Sequence, residues 1–534
     1  MKNYKLLILG FLGLAVLTAS CEDAIDIIQP GELPAENAVL NLDDLESVTI
    51  ATYALLDLSG EIGWTSAFTD EITRALSWGG QWNQELDFQL DAASAASSEF
   101  WLTNYRTINQ VNRSLVQAET LRETVLGGSD DDDDSDDDDD DDDVDFDDDR
   151  YNDLVAQLRV LRAYSYFQLL NFYSTDLMDD SALGVPLIDF VPELDVQLLR
   201  STNGEVFGLI ESDLDYADEN LQTEFSTTFI STDMVQALRA RIANERGDYE
   251  EAEDLATELL DIYGLADSDD YPSIFTDASN EEIIFKLERA NGGGAPYDQQ
   301  GATGSAFAGG WVGANYAFGG PGRGGSPYME VDRNLFNLVN NEDDTSEDVR
   351  RGLIIDEATS LIDEDFPDVG FDYRESDQLI VNKYRGSEGQ PLMNDIKVFR
   401  SSEMLFIAAE AHVAQGELDD AEELIEDLLD ARIDDFDDDG ADLFEADVEF
   451  DDAEEAYQVI LEQRRIELAF EGHRWKDIKR LGQRANRGVD RNPLDCEFNG
   501  ACTLSPDSFK FTLPLPIAEF NANPGIREQQ NPGY

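Results

Sequence analysis

The chain has 534 residues, of which 117 are acidic and 36 basic, and its formal net charge is −81 at pH 7. Nucleic acids and anionic membrane surfaces are disfavoured as partners, because binding phosphate groups requires clusters of Lys and Arg. Such an excess of acid is tolerated where counter-ions screen the self-repulsion, which predicts a saline habitat.

The first twenty residues have the pattern of a secretory signal peptide. Lys2 and Lys5 precede an apolar run from Leu6 to Leu17, which is too short to span a bilayer. Small residues then lead to Cys21, so we expect cleavage before this cysteine and its lipidation, as in a bacterial lipoprotein. An unlipidated secreted protein is the alternative. Residues 21–534 are predicted to form a single domain, since no linker rich in Pro, Gly or Ser divides them.

Apolar residues recur at helical spacing along most of the chain, near residues 41–58, 100–124, 151–173, 203–221, 233–262, 401–433 and 454–481. Strand-like alternation is confined to Glu282–Leu287 and Phe509–Leu513. The chain is therefore predicted to be mainly α, with long irregular insertions and a few short strands.

Two insertions carry aromatic residues suited to binding a ligand. One contains Trp78 and Trp82 with Asn83, separated by glycines, in a loop between helices. The other, residues 291–327, is rich in glycine and contains Trp311, Tyr316 and Arg323. Aromatic rings stack on the C–H faces of sugars, and amides and guanidinium groups bind hydroxyls. The alternative for the second insertion is a loop that is merely packed or disordered.

An acidic run interrupts the helical pattern at Asp130–Asp149, where seventeen of twenty residues are aspartate. Like charges repel and few apolar residues break the run, so we predict a solvated, disordered loop between two helices.

One internal repeat is visible, because residues 240–255 align without gaps on residues 409–424. Gly247 and Gly416 occupy the same place and are expected to end a helix in the left-handed conformation. Ala252 and Ala421 follow five residues later, and a small side chain is expected there because two helices cross. This is the helix–turn–helix pattern of tetratricopeptide-like repeats, with chance similarity between two amphipathic hairpins as the alternative.

Catalysis is poorly supported by the residues present. Glu467 and Glu471 are four apart on one predicted helix, and a glycosidase needs two nearby carboxylates. We instead expect them to form ion pairs, since Arg464, Arg465 and Arg474 share the same turns. His412 and His473 are the only histidines and are expected to be packed, and zinc is disfavoured by so few His and Cys.

Two further clusters suggest binding or cross-linking. Asp435, Asp437 and Asp439 fit the first half of a calcium loop, but the acidic residue expected at position twelve is displaced by one place. Calcium therefore competes with a chance match in an acidic chain. Cys496 and Cys502 predict a disulfide, because an exported chain meets an oxidising compartment, with a two-cysteine metal clip as the weaker alternative.

Three stretches carry a resemblance to a known family. Leu158–Asn171 contains Leu-Arg-Ala-Tyr-Ser-Tyr-Phe and leads to Gly184-Val-Pro-Leu. Arg464–Arg480 contains Arg-Ile-Glu-Leu-Ala-Phe-Glu-Gly-His-Arg-Trp, and the chain ends on Gln530-Asn-Pro-Gly-Tyr534. In this order they resemble the SusD/RagB proteins of Bacteroidetes-type bacteria.

The resemblance implies a core of four tetratricopeptide-like helix pairs and a ligand surface formed by insertions outside that core. It implies a surface-exposed, lipid-anchored outer-membrane protein, with a SusC-like TonB-dependent barrel as partner. The function predicted is capture of oligosaccharides for that transporter without catalysis. Capture of peptides or another nutrient on the same scaffold is the alternative, and a surface glycoside hydrolase or a purely structural repeat adaptor is a weaker one.

Overall fold

The computed structural model describes residues 39–127, 146–193, 196–223, 225–289, 311–318, 326–340, 346–362, 376–435, 444–499 and 501–534. Cys21, Arg323, Asp437, Asp439 and most of the aspartate run lie outside these residues. None of the helices in the described part combines the length and apolarity needed to cross a membrane.

The described residues are predominantly helical, which confirms the predicted fold class. The helices are α1 (Leu42–Tyr53), α2 (Ser59–Phe68), α3 (Asn83–Leu86), α4 (Ala95–Gly127), α5 (Asp148–Tyr173), α6 (Asn203–Asn220), α7 (Thr232–Arg246), α8 (Tyr249–Tyr263), α9 (Tyr271–Phe275), α10 (Arg333–Val339), α11 (Arg351–Ile354), α12 (Ser401–Gln415), α13 (Leu418–Asp430), α14 (Ala453–Glu467), α15 (Arg474–Leu481), α16 (Pro493–Asn499) and α17 (Ile517–Ala522).

The strands are short and pair two at a time. They are β1 (Ile72–Arg74) with β5 (Met329–Val331), β2 (Ile283–Leu287) with β7 (Ile396–Arg400), β3 (Ala317–Phe318) with β4 (Ser326–Pro327), β6 (Ser346–Asp348) with β8 (Ile433–Asp435), and β9 (Val489–Asp490) with β10 (Thr503–Leu504), all antiparallel.

The predicted strand at Phe509–Leu513 is wrong. Phe509–Phe511 forms a turn of 3₁₀ helix that begins where the Ser508 side chain accepts a hydrogen bond from the amide of Lys510. Of the three alternating apolar residues, Phe511 and Leu513 are buried and Phe509 is exposed, so the pattern does not correspond to one buried face of a strand. The amide of Leu513 donates to the Phe172 carbonyl of a helix, so the segment lies against the core instead of pairing with a strand.

Helix α5 is the centre of the core. Apart from its first turn it is almost entirely buried, and it packs against α4 on one side and α6 on the other. Arg200 ties the chain terminus to the end of this helix, since it donates to the Tyr173 carbonyl and the Asn531 side chain, both at 2.8 Å. The C-terminal motif therefore completes the helical core.

The internal repeat is confirmed. Gly247 ends α7 with a φ of 81°, and Gly416 ends α12 with a φ of 85°, both in the left-handed region. Ala252 and Ala421 are fully buried. Because α8 packs against both α7 and α12, and α12 against α13, the two copies form one continuous stack of helices.

The loop predicted for the acidic run ends before Asp149, because the last aspartates belong to the next helix. Asp147 is the N-cap of α5 and accepts a hydrogen bond from the amide of Arg150 at 3.0 Å, and Asp148 pairs with Arg122. Carboxylates are favoured at a helix N-terminus, where they satisfy free amides and meet the positive end of the dipole. The last aspartates therefore begin the helix and do not belong to the loop.

Candidate functional site

Residues 75–86, here called the tryptophan loop, leave the core from strand β1. Antiparallel pairing places Arg74 opposite Met329 of β5. The first loop amide, that of Ala75, donates to the Tyr328 carbonyl. At the other end, Leu86 of α3 is fully buried. Both ends of the loop are thus fixed to the core.

Hydrogen bonds within the loop hold Trp78 in place. The Trp78 indole Nε1 donates to the Gln81 carbonyl at 2.7 Å, and the amide of Gly79 donates to Gln81 Oε1 at 2.9 Å. Gly80 has a φ of 109°, a conformation that favours glycine. Gly80 therefore allows a tight turn that closes back on the first tryptophan.

Arg74 connects the two ends of the loop. Its guanidinium carbon lies 4.4 Å from the centre of the Trp78 ring, in a cation–π contact. Its Nη2 donates to Asn83 Oδ1 at 3.1 Å and lies 3.3 Å from a carboxylate oxygen of Asp87. The Arg74 guanidinium thus orients both Trp78, which is predicted to stack on a ligand, and Asn83, which is predicted to bind it through its amide. Sequence reasoning missed Arg74, although its place just before the loop was a usable signal.

Trp82 joins the tryptophan loop to the second aromatic insertion. Its indole Nε1 donates to the Asn315 carbonyl at 3.0 Å, and the Asn315 side chain donates to the Ser59 carbonyl at 2.7 Å. A Cβ atom on Gly63 of α2 would lie 2.4 Å from Asn315 and 2.8 Å from the Trp82 ring. The close approach of these side chains to α2 therefore favours glycine at position 63. The Trp82–Asn315 bond brings together two segments that the sequence separates by more than two hundred residues.

Within that second insertion, Trp311 and Tyr316 do not present exposed faces. Trp311 is 6% exposed and packs with Leu392 and Met393, and its indole nitrogen finds no acceptor in the described part of the chain. Tyr316 is 3% exposed and stacks on Tyr384. Their burial corrects the expectation that these two rings are exposed, because distant segments cover both of them.

Among the described residues, the exposed part of the predicted site is the tryptophan loop. Trp78 and Trp82 are half-buried, with part of each ring packed against the core, and Asn83 is exposed. Fixed aromatic rings beside a polar edge suit a ligand with both apolar C–H faces and oxygen atoms.

A buried carboxyl group lies beneath the second insertion. Burial raises the pKa of Glu71 to about 7, and its Oε2 atom has no hydrogen-bond partner among the described residues. Its Oε1 accepts from the amide of Phe470 at 3.0 Å. Burial, together with the Glu71 carboxylate, also raises the pKa of Tyr316 well above its usual value. Glu71 is closed off from solvent, and its position identifies it as part of the support for the site.

Glu467 and Glu471 are held in ion pairs, as expected, but not with the predicted partners and not on one helix. Helix α14 ends at Glu467, and the chain then turns. Both carboxylates accept from Arg400, Glu467 also pairs with Arg432, and Glu471 pairs with Lys383. Burial favours protonation of Glu467, but the surrounding arginines outweigh it and hold the pKa well below its usual value. A general acid needs a raised pKa, so the lowered pKa and the surrounding arginines favour ion pairing as the role of this carboxyl.

The three nearby arginines have other acidic partners. Arg474 donates to Asp70 at 2.8 Å and Arg465 lies 3.6 Å from the same carboxylate, while Arg464 lies 2.8 Å from Asp477. These pairs join α14 and α15 to the end of α2, so this sequence motif is part of the framework of the fold.

The two histidines lie in different environments. Burial, with Arg241 and Arg464 nearby, lowers the pKa of His473 well below its usual value, so the ring is neutral. His412 lies between two carboxylates: its Nδ1 is 2.9 Å from Glu417 and its Nε2 is 3.9 Å from Glu253. These three residues are close enough to hold a metal. However, the two carboxylates face opposite nitrogens of the ring, so they do not converge on one nitrogen as fellow ligands of a metal would.

The remaining predicted sites are only partly described. Cys496 and Cys502 are joined by a disulfide. Asp435 ends strand β8, but Asp437 and Asp439 lie outside the described residues, so calcium binding there stays a prediction. Lipidation of Cys21 and a ligand contact from Arg323 also stay predictions.

Comparison with protein families gives matches over both halves of the chain. A family model described as "SusD family" matches residues 350–534, and one described as "Starch-binding associating with outer membrane" matches residues 42–243. The curated SusD-like protein P2 of Formosa agariphila is 25% identical over an alignment that covers all of both chains.

Solved structures with the same fold include a SusD superfamily protein from Bacteroides thetaiotaomicron, with 22% identity, a TM-score of 0.68 and coverage of 92% of this chain and 100% of that one. Surface glycan-binding protein A from Bacteroides fluxus has 17% identity, a TM-score of 0.64 and coverage of 92% and 99%. At such identities the likeness is one of fold.

Proposed function

The chain belongs to the SusD/RagB family, and on that premise we propose that it binds oligosaccharides at the cell surface and passes them unaltered to a SusC-like TonB-dependent barrel. Fold alone does not decide function. The ligand assignment therefore rests on the site, and the cellular role rests on the N-terminal sequence and the family.

The tryptophan loop carries the ligand assignment. Trp78 and Trp82 are fixed by hydrogen bonds of their indole nitrogens, and exposed Asn83 lies beside them. Side chains already held in place lose little conformational freedom when a ligand binds, which favours affinity. A sugar ring has an apolar face, which can stack on the tryptophan rings, and a polar rim of hydroxyl groups, which can form hydrogen bonds with Asn83.

The cellular role is supported by independent features. Cys21 follows a signal-peptide pattern, and lipid chains on this residue would anchor the protein to a membrane. The family model matching residues 42–243 describes proteins that associate with the outer membrane. We place the protein on the outer face of that membrane, over the mouth of its transporter.

The ligand is tested with a panel of immobilised glycans and peptides. We expect the mature protein to bind glycans, and Trp78→Ala and Trp82→Ala to abolish this signal while a Leu76→Ala variant of the same loop keeps it. Binding to peptides alone would favour the alternative nutrient and overturn the glycan assignment.

The transporter partner is tested by co-purification from cells that express the tagged full-length chain. Mild detergent extracts should contain a large β-barrel protein in stoichiometric amount. Recovery of the chain alone, under conditions that preserve other outer-membrane complexes, would contradict the proposed partnership.

A further inference from the structure

A second concave surface is present besides the tryptophan loop. It is a cleft of about 490 Å³, lined mainly by α10, α14 and residues 487–490. None of the described residues that line it belongs to the tryptophan loop. The volume is within the range of roughly 300–1,000 Å³ that is usual for small-molecule sites. The cleft is therefore a candidate for a separate binding site.

The walls of the cleft are held in place by packing. Helix α10 packs against α14, and the Asn334 side chain of α10 donates to the Asp490 carbonyl at 3.2 Å. A Cβ atom on Gly488 would lie 2.1 Å from the Leu504 carbonyl oxygen, so residues 487–490 approach strand β10 closely. A cleft whose walls are already fixed loses little conformational freedom when a ligand enters, which favours binding.

Arg487 brings a positive charge to the cleft. Its guanidinium donates to Gln458 Oε1 of α14 at 2.9 Å and to the Asn486 carbonyl at 3.2 Å, and its side chain is exposed. Both partners are neutral, and Arg487 forms no ion pair within the described part of the chain. Its charge is therefore available to a ligand, although the chain has 117 acidic residues against 36 basic ones.

Two carboxylates of α14 face the same cleft. Glu455 is three residues before Gln458 and Glu462 is four residues after it, so the three share one face of the helix, with about 5–6 Å between neighbouring Cβ atoms. Neither glutamate forms an ion pair among the described residues, and Glu462 is exposed. Because Arg487 is bonded to Gln458, the cleft holds one positive and two negative groups that are close together without being paired.

The other charged residues of the cleft differ in their surroundings. Arg474 and Arg465 are buried and both interact with the carboxylate of Asp70, at 2.8 Å and 3.6 Å. Asp490 is exposed and adds a third carboxylate at the rim. The charges available to a ligand thus have both signs, with carboxylates in excess.

The uncharged part of the cleft is aliphatic. Leu338 of α10 and Val459 of α14 are half-buried and line it, and none of the described lining residues is aromatic. Contact with aliphatic side chains favours an apolar group on the ligand. The cleft therefore differs in chemistry from the tryptophan loop, where aromatic rings are the main contact surface.

We propose that this cleft binds a free aliphatic amino acid such as leucine, whose carboxylate pairs with Arg487 and whose ammonium group pairs with Glu462. An amino acid carries its two charges on the same carbon atom, so one molecule can bridge protein charges that do not meet each other. Leu338 and Val459 would contact its side chain. The inference goes beyond glycan binding and does not depend on it, because the two sites share none of the described lining residues.

The ligand class is tested by calorimetry with the mature chain and three probes. L-Leucine carries both charges, L-leucinamide only the positive one and N-acetyl-L-leucine only the negative one. An ionic strength of about 1 M, where the Debye length is about 3 Å, suppresses the general attraction of a chain of charge −81 for leucinamide. We expect leucine to bind at least tenfold more tightly than either derivative.

Substitution of exposed residues assigns the two charges without disturbing the buried framework. Arg487→Gln and Glu462→Gln should each weaken leucine binding at least fivefold, and Arg487→Gln should also reduce the preference for leucine over leucinamide. Arg106→Gln of α4 and Glu423→Gln of α13 are the matched controls, since both residues are exposed and do not line the cleft. They should change the affinity less than twofold.

The two binding sites are separated by exchanging variants between ligands. Trp82→Ala should keep leucine binding, and Arg487→Gln should keep any glycan binding. No binding of leucine, equal binding of either derivative, equal affinities for cleft and control variants, or loss of leucine binding in Trp82→Ala would each overturn the inference. Failure of every glycan to bind would instead contradict the proposed function and leave the amino-acid site standing.

Discussion

Trp82 and Asn315 are joined by a hydrogen bond of 3.0 Å from an indole nitrogen to a backbone carbonyl, and this bond links two insertions that come from distant parts of the chain. Trp82 therefore has two separable roles. Its hydrogen bond ties the tryptophan loop to the 311–318 segment, and the exposed part of its ring is available to a ligand.

Substitutions at Trp82 should separate these roles. Trp82→Phe keeps an aromatic face and loses the donor, so we expect ligand binding within a few-fold of the parent and a loss of about 1 kcal/mol in the free energy of unfolding. Trp82→Ala removes the ring as well and should weaken ligand binding at least tenfold. Calorimetry and urea denaturation measure the two effects, and equal binding by Trp82→Ala and the parent would refute a ligand role for this ring.

Glu71 should make stability depend on pH in an unusual direction. Its pKa is raised from 4.5 to about 7, so the folded state binds more protons than the unfolded state between these values. The stabilisation is full below pH 4.5, falls as the pH rises towards 7 and is lost above it. Glu71→Gln keeps the acceptor for Phe470, and we expect it to stabilise the protein above pH 7 by roughly 3 kcal/mol, with little effect at pH 4.5.

The exposed Glu528 provides the control for this pH effect, since Glu528→Gln should leave the free energy of unfolding unchanged at both pH values. Denaturant titrations at pH 4.5 and pH 8 give the comparison. A Glu71→Gln variant with the same advantage at both pH values, or with none, would contradict the burial of an ionisable carboxyl.

Glu467→Gln should destabilise the fold. Glu467 is fully buried between Arg400 and Arg432, and removing one member of a buried ion cluster costs about 3–5 kcal/mol. Glu462→Gln, on an exposed position of the same helix, should cost less than 0.5 kcal/mol, as surface changes do. Hydrolysis of a bound glycan that disappears in a stably folded Glu467→Gln protein would favour the hydrolase alternative instead.

Cys21→Ser should release the protein from the membrane. The substitution removes the site of acylation, so we expect the chain to move from the membrane fraction to the soluble fraction of expressing cells. A double variant of Cys496 and Cys502 to serine is the control and should stay with the membrane. Membrane association of Cys21→Ser, or a parent chain that leaves the cell freely, would refute the lipid anchor.

The parts of the account that the sequence predicts well depend on local physics. Gly247 and Gly416 end their helices because only nearby residues decide a left-handed cap. The paired state of Glu467 was predictable, but its partner Arg400 comes from β7, 67 residues earlier, and α14 ends before Glu471. The spacing of four residues between Glu467 and Glu471 indicated neither the partner Arg400 nor the end of the helix.

The candidate site was predictable only in part for the same reason. The glycine spacing identified the tryptophan loop, but the role of Arg74 depends on where its guanidinium lies relative to Trp78 and Asn83. Tyr316 is buried against residues such as Tyr384, which lies 68 residues away in the sequence. Aromatic residues in a glycine-rich segment look alike in sequence whether they are exposed or packed.

Native mass spectrometry of the mature chain, mixed with the glycan panel and sampled over several hours, tests the central claim most directly. The account predicts a stoichiometric complex with at least one oligosaccharide, whose mass is unchanged when it is recovered at every time point, and loss of that complex in the Trp82→Ala variant. Shortened oligosaccharides, or a chain that stays free of every glycan, would contradict it.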